Sequence, residues 1–211
     1  MADQTVLKEL APTGKLRLAI AVAPAPSAQF AVKDGDTYRG VAVTFGRALA
    51  AKLGVPLEII PHQASGEIQN SADANRWDVA FLPVDDERKK FVAFGNAYHL
   101  LQSTFLVAPG SKINSVKDAD AKGVGIGGVA NTATFRAAKR ATSNATHIDF
   151  AGVDAAVTAM RDGRIEAIAL SRESLSDWSE RLPDPESSRT HFSIRAQLCA
   201  CPKESRPRSL T

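Results

Sequence analysis

One arginine stands out among the charged residues because of its place after a predicted strand. Arg88 lies in the segment Asp85-Asp86-Glu87-Arg88-Lys89-Lys90, just beyond an apolar run that ends at Leu82. In one interpretation the segment is a solvated charge cluster in a short helix. In the other, the planar guanidinium of Arg88 binds a carboxylate through two parallel hydrogen bonds. The sequence leaves both interpretations open.

A glycine-rich segment is the second candidate for a binding site. Gly123-Val124-Gly125-Ile126-Gly127-Gly128 has the G-x-G-x-x-G spacing of dinucleotide-binding loops. That fingerprint must follow a strand, whereas residues 114–122 are polar and charged, so we expect no nucleotide cofactor. The last two glycines would instead let a ligand approach the helix that begins near Asn131. Asn131 and Thr132 would cap this helix and contact the ligand, because helix N-termini carry free N–H donors.

The remaining polar residues show no arrangement typical of catalysis or metal binding. The chain has no H-E-x-x-H, G-x-S-x-G or G-x-x-x-x-G-K-[ST] motif. Cys199 and Cys201 are the only cysteines, and a disulfide across one residue would be strained, so we interpret them as two small residues of a strand. The prediction is a protein without a metal, a cofactor or an enzymatic activity. The four histidines are scattered along the chain: His62, His99, His147 and His191.

Composition and charge argue against two further classes of protein, those that bind nucleic acids and those that span a membrane. With 44% apolar and 23% charged residues in 211, the chain has an ordinary globular composition. The net charge of +3 arises in residues 181–211, which hold six bases and three acids, so no basic stripe or nucleic-acid partner is predicted. No apolar run approaches the roughly 20 residues that cross a bilayer. The first ten residues lack the apolar core of a signal peptide.

Strands that alternate with helices predict parallel βαβ layers in two sets, joined by an extended stretch near residues 103–109. We therefore expect an α/β fold with two lobes, residues 1–105 with 195–211 forming the first and 106–194 the second. Ligands of such sheets bind at the carboxyl ends of the strands, which predicts a site in the groove between the lobes. The predicted strands are 16–21, 57–60, 77–82, 124–126, 147–150 and 166–170, the helices 43–53, 65–75, 132–140, 154–162 and 173–179, and the extended runs 29–32, 37–41, 91–94, 103–108 and 191–201.

The order of several motifs resembles that of the type II periplasmic solute-binding proteins of bacterial ABC transporters, of the polar amino acid kind. The opening Gly14-Lys15-Leu16-Arg17-Leu18-Ala19-Ile20 is similar to theirs, as is the helix end Leu49-Ala50-Ala51-Lys52-Leu53-Gly54. So are Trp77-Asp78-Val79-Ala80 before Arg88 and the late segment Asp162-Gly163-Arg164-Ile165-Glu166-Ala167. The resemblance covers roughly residues 12–180 and implies the two-lobed type II periplasmic-binding-protein fold.

The resemblance implies a protein that binds a small solute and presents it to a membrane permease in the periplasm. In that family the arginine that matches Arg88 grips the ligand carboxylate, and a residue at the place of Asn131 and Thr132 assists. The acid that receives the ligand amino group is replaced by Ser171, and Ser65 replaces an aromatic residue. The expected ligand is a small anionic solute, either a carboxylate or an amino-acid-like molecule, and Ser171 favours an acid without an amino group. The other expected ligand-binding residues are Pro83 and Phe30.

Two alternatives accompany this interpretation. The first is a dehydratase-type enzyme on the same fold, which would need a general acid that Ser171 does not supply. The second is a cytoplasmic ligand-sensing module, which the absence of a signal peptide favours. Relatives usually continue past a lysine like Lys203 into helices, so we also expect a truncated or altered C-terminus.

Overall fold

The computed structural model of the protein describes residues 3–22, 30–179 and 194–202. Most of the basic segment 181–211 and the C-terminus expected to be truncated or altered lie outside these residues, as do the side chains of Cys199 and Cys201. The helices are α1 (Gln4–Leu10), α2 (Val41–Leu53), α3 (Ser65–Asn70), α4 (Val116–Ala119), α5 (Ala133–Ala141), α6 (Val153–Arg161) and α7 (Arg172–Ser179). The strands are β1 (Leu16–Ala21), β2 (Val32–Asp34), β3 (Thr37–Arg39), β4 (Leu57–His62), β5 (Val79–Pro83), β6 (Ala97–Val107), β7 (Gly125–Val129), β8 (Thr146–Phe150), β9 (Ala167–Ser171) and β10 (Ile194–Pro202).

The chain divides into two compact units. Of the described residues, 3–22, 30–99 and 197–202 belong to the first unit, and 100–179 and 194–196 belong to the second. The chain therefore passes from one unit to the other within β6 and again within β10.

The first unit is built on strands in the order β4-β1-β5-β10, with β1 parallel to both neighbours and β10 antiparallel to β5. Side chains alternate along β1, so Leu18 packs in the cluster beneath α2 while Ala19 packs in the cluster that includes Ile68 of α3. Both faces of this sheet are thus covered by apolar side chains. Such burial on both faces is what the continuous apolar run of β1 predicts.

Two local features of the first unit follow from turn chemistry. The strands β2 and β3 form an antiparallel hairpin, and Gly35 in its turn has a φ of 57°. The predicted extended runs 29–32 and 37–41 overlap these two strands, which begin or end at other residues than the sequence indicates. Helix α2 ends as predicted at Gly54, whose φ of 72° is left-handed and whose N–H reaches back to the Ala50 carbonyl.

The second unit is built on strands in the order β6-β9-β7-β8. Strand β7 is parallel to β8 and β9, whereas β6 runs antiparallel to β9. One face is covered by α6, through residues such as Val157 and Met160, and the other by α5, through Phe135 and Ala138. Parallel strands with helices on both faces agree with the predicted βαβ layers.

Candidate functional site

The charge cluster after β5 divides into a buried and a solvated part. Arg88 begins a short 3-10 turn, Arg88–Lys90, and its side chain is 0% exposed. Lys89 and Lys90 are exposed and form ion pairs with Asp86 and Glu87 at 2.9 and 2.7 Å. The interpretation as a solvated cluster is therefore wrong for Arg88 and holds for its two neighbours.

The guanidinium of Arg88 is held by hydrogen bonds in three directions. Its Nη2 donates to Ser65 Oγ at 2.8 Å, its Nη1 to the Pro83 carbonyl oxygen at 3.0 Å, and its Nε to Gln69 Oε1 at 3.4 Å. The Asp85 carboxylate accepts the backbone N–H of Arg88 at 3.0 Å, and its other oxygen lies 3.9 Å from Nε. A cation is thus fixed inside the first unit, with neutral oxygens as the acceptors of all three of these side-chain bonds.

Helix α3 positions two of these acceptors. Ser65 and Gln69 are four residues apart and lie on one face of the helix. Ile68, between them, belongs to an apolar cluster with Trp77 and Leu82, and the helix lies against β1 and β4 of the sheet. Both Ser65 and Gln69 are half-buried, whereas the Arg88 beneath them is wholly buried.

Pro83 and Phe30 occupy different places in the first unit. Pro83 is the last residue of β5 and is buried, and its carbonyl oxygen accepts from Arg88. Phe30 is half-buried, and its carbonyl oxygen accepts the N–H of Ala42 in α2 at 3.1 Å. Pro83 is therefore in direct contact with Arg88, while the contacts of Phe30 that the structure records are those of a helix start.

In the second unit, Asn131 and Thr132 form the start of α5. Asn131 is exposed and has a φ of 58°, a left-handed conformation that asparagine tolerates better than most residues. Thr132 is the N-cap, whose Oγ1 accepts from the Phe135 N–H at 3.3 Å and donates to the Val129 carbonyl at 2.8 Å. The predicted N-cap is present, and both of these hydrogen bonds join the Thr132 hydroxyl group to the backbone of the same unit.

The glycines of β7 are explained by packing. A Cβ atom on Gly128 would overlap the ring of Phe135, and one on Gly127 would overlap Ile165 and Phe150. The space beside both glycines is thus filled by side chains of the same unit. The hypothesis that these glycines let a ligand approach is not needed to explain them.

Ser171 ends β9 and is 6% exposed. Its Oγ donates to Ser174 Oγ at 2.9 Å and accepts the Ser174 N–H at 3.1 Å, so it caps the following turn. In the register of the sheet it faces Ser103 of β6, whose buried Oγ has no hydrogen-bond partner within the described part of the chain. Ser103 could not be predicted from the sequence, because a single serine in an apolar strand carries no signal of its own.

The described histidines with shifted pKa values serve packing networks. Burial lowers the pKa of His62, whose Nε2 lies 3.2 Å from Ser71 Oγ, and that oxygen also accepts from Trp77 Nε1. Burial also lowers the pKa of His147, whose Nε2 lies 2.9 Å from Thr142 Oγ1.

Within residues 3–22, 30–179 and 194–202 no group of three metal-ligating side chains occurs, and no helix is long and apolar enough to cross a membrane.

Sequence reasoning named Ser65 only as the replacement of an aromatic residue and did not single out Gln69 or Asp85 as partners of Arg88. Their signal is local: an i, i+4 polar pair on a short helix, and an aspartate three residues before the arginine. None of these patterns by itself indicates contact with Arg88, which arises only because α3 packs on the sheet.

Comparisons with a family model and with solved structures both find solute-binding or amino acid-binding proteins. The model of the bacterial extracellular solute-binding proteins, family 3, matches residues 18–182. Among solved structures, an ancestral amino acid-binding protein, a precursor of cyclohexadienyl dehydratase, superposes with a TM-score of 0.75 at 23% identity, covering 96% of this chain and 87% of that chain. A mutant of the ArgBP from T. maritima gives 0.74 at 20% identity, with 95% and 86% covered. A putative binding component of an ABC transporter from Wolinella succinogenes, complexed with lysine, gives 0.74 at 20% identity, with 93% and 85% covered.

Proposed function

Since the chain belongs to the bacterial extracellular solute-binding proteins, family 3, we propose that it is the substrate-binding component of an ABC transporter and that its solute carries a carboxylate group. The observation that carries the ligand proposal is the wholly buried guanidinium of Arg88 beyond the carboxyl end of β5. A periplasmic location and a membrane permease as partner are parts of the same proposal.

The electrostatics of this position favour an anion. Arg88 stays charged at any physiological pH, and its burial reduces screening by water. A carboxylate about 5 Å from the guanidinium would gain on the order of 3 kcal/mol from Arg88 alone at an effective dielectric constant of about 20. The Asp85 carboxylate, 3.9 Å from Arg88 Nε, offsets part of this gain, as does the cost of desolvation. Ser65 and Gln69 cover the guanidinium in this structure, so a ligand would meet these residues or take their place.

We further infer that the ligand lacks an amino group. Ser171, Asn131 and Thr132 are the candidate ligand residues of the second unit, and none of them carries a negative charge to receive an ammonium group. ArgBP and the lysine complex are named for cationic amino acids. The proposal is that the solute of this chain differs from theirs in charge.

Binding without turnover is part of the proposal. A dehydratase-type reaction needs a general acid, and the hydroxyl group of Ser171 does not release a proton at neutral pH. Its two hydrogen bonds with Ser174 are those of a helix start.

A thermal-shift screen tests the proposal. The panel would contain succinate, glutarate and lactate, with L-lysine, L-arginine and L-glutamine as amino acids for comparison. A ligand present at a hundredfold excess over its Kd adds about 2.7 kcal/mol of stability, which a shift in Tm detects. We expect the simple carboxylates to give the largest shifts. Larger shifts with the amino acids would refute the ligand class, and the absence of any shift with a carboxylate would refute the role of Arg88.

A further inference from the structure

The hydroxyl group of Ser65 has an orientation that Arg88 determines. The two groups are 2.8 Å apart, and a guanidinium can only donate hydrogen bonds. Ser65 Oγ must therefore accept from Nη2, and its own proton points elsewhere. Within the described part of the chain, this is the one hydrogen bond that the Ser65 hydroxyl group makes.

We propose that Ser65 is a ligand-binding and specificity-determining residue, whose hydroxyl group donates a hydrogen bond to a carboxylate oxygen of the solute while Arg88 acts through it. This inference rests on the proposed function and names the group that meets the ligand. Arg88 is wholly buried whereas Ser65 keeps part of its surface accessible, so Ser65 is the side chain of this pair that a solute reaches first.

The contact with Arg88 makes the serine a better donor. A hydroxyl group that accepts from a cation is polarised, and its O–H bond to a further acceptor is strengthened. The positive charge of Arg88 also stands directly behind the hydroxyl group, which favours an anionic acceptor over a neutral one. Arg88 is thus a positioning residue in this arrangement.

Gln69 helps to orient Arg88. Its amide oxygen faces Arg88 Nε at 3.4 Å, because the guanidinium offers only donors. Ser65 and Gln69, one helical turn apart on α3, thus both place an acceptor atom toward Arg88, which holds the guanidinium against the Ser65 hydroxyl group.

The first experiment measures affinity for succinate and glutarate by titration calorimetry. Ser65→Ala should weaken binding roughly tenfold to a hundredfold, the usual effect of losing one hydrogen bond to a charged group. Ser65→Thr, which keeps the hydroxyl group, should restore the affinity to within about threefold of wild type. Asn70→Ala, at an exposed residue of the same helix, is the matched control and should bind as wild type does.

The outcomes separate this inference from the proposed function. Wild-type affinity in Ser65→Ala overturns the inference and leaves the proposed function standing. Failure of the wild-type protein to bind either carboxylate overturns both.

A second experiment reads the contact without depending on affinity. In Ser65→Cys the neighbouring guanidinium should lower the pKa of the new thiol below its ordinary value of about 8.5, so alkylation by iodoacetamide should reach half its maximal rate at a lower pH than in Asn70→Cys. Wild-type protein gives the background from Cys199 and Cys201. Succinate should slow alkylation of Ser65→Cys and leave that of Asn70→Cys unchanged. Equal pH profiles in the two variants, or no protection by succinate, would overturn the inference.

Discussion

Three neighbouring cations after β5 provide a direct test of the structure. We expect Arg88→Met to destabilise the protein strongly, and Lys89→Met and Lys90→Met to have almost no effect. Methionine is close to arginine in length, so the variant removes the charge and its hydrogen bonds with little change in volume. An interpretation as one solvated cluster would predict small and equal effects for all three.

The magnitude follows from the contacts of Arg88. The variant takes the donor from the Pro83 carbonyl and Ser65 Oγ and removes the cation beside Asp85. Removal of one partner from a buried charged network costs about 3–5 kcal/mol. For a chain of 211 residues this corresponds to a fall in Tm of roughly 6–20 °C. Lys89 pairs with Asp86 on the surface, where such a pair contributes little, so its variant should melt within about 2 °C of wild type.

Thermal unfolding followed by circular dichroism, together with urea unfolding at constant temperature, provides the assay. The urea midpoint should fall for Arg88→Met without a change in slope, since the surface exposed on unfolding stays the same. A Tm for Arg88→Met as close to wild type as those of the two lysine variants would refute the burial of Arg88, and with it the argument for a fixed internal cation.

Three further predictions concern other parts of the molecule. Asp78→Asn should lower the free energy of unfolding by about 3 kcal/mol, measured with urea, because it disrupts a largely buried ion pair. Asp78 binds the Arg17 guanidinium at 2.6 and 3.0 Å, and this hydrogen bonding raises the pKa of Arg17. A loss below about 1 kcal/mol would contradict this reasoning. Burial lowers the pKa of His62 from its ordinary value of 6.5, so the unfolded chain binds its proton first and stability should decline as pH falls below that value. His62→Gln should decline less between about pH 7 and pH 5, and parallel pH curves for the two proteins would argue against a neutral folded-state histidine. Gly128→Ala should cost about 1–3 kcal/mol by overlap with Phe135, measured as a lower Tm, and an unchanged Tm would reopen the question of why a glycine stands there.

The predicted family and fold class are confirmed by the family model and by the solved structures. Several elements could be predicted because local patterns determine them. Strand β1 was predicted at the residues where it lies, since its apolar run is bounded by turn residues. Helix α2 has apolar residues at helical spacing and a glycine at its end, and its predicted C-terminus is correct. The site residues and the boundaries of the lobes stay predictions.

Other elements depend on longer-range contacts and were predicted poorly. Helix α1 was not predicted at all, because its sequence is short. It is stabilised by an N-cap at Asp3 and by the packing of Leu7 and Leu10 on the apolar cluster of the first unit. Strand β6 begins at Ala97, six residues before the predicted extended run. Residues 97–102, its first half, show no regular alternation of polar and apolar residues, and cross-strand pairing rather than sequence determines where such a strand begins.

The amino-acid sequence was enough to predict the family, the alternation of strands and helices, and the position of Arg88 after a strand. Only the tertiary structure decided that Arg88 is buried while Lys89 and Lys90 are solvated, and that Ser65 and Gln69 lie against it. The physical reason is that propensity and hydrophobic periodicity act over a few residues, whereas the cost of burying a charge depends on its surroundings in space. Those surroundings come from residues about twenty positions away in the chain, which the packing of α3 on the sheet brings within hydrogen-bonding distance.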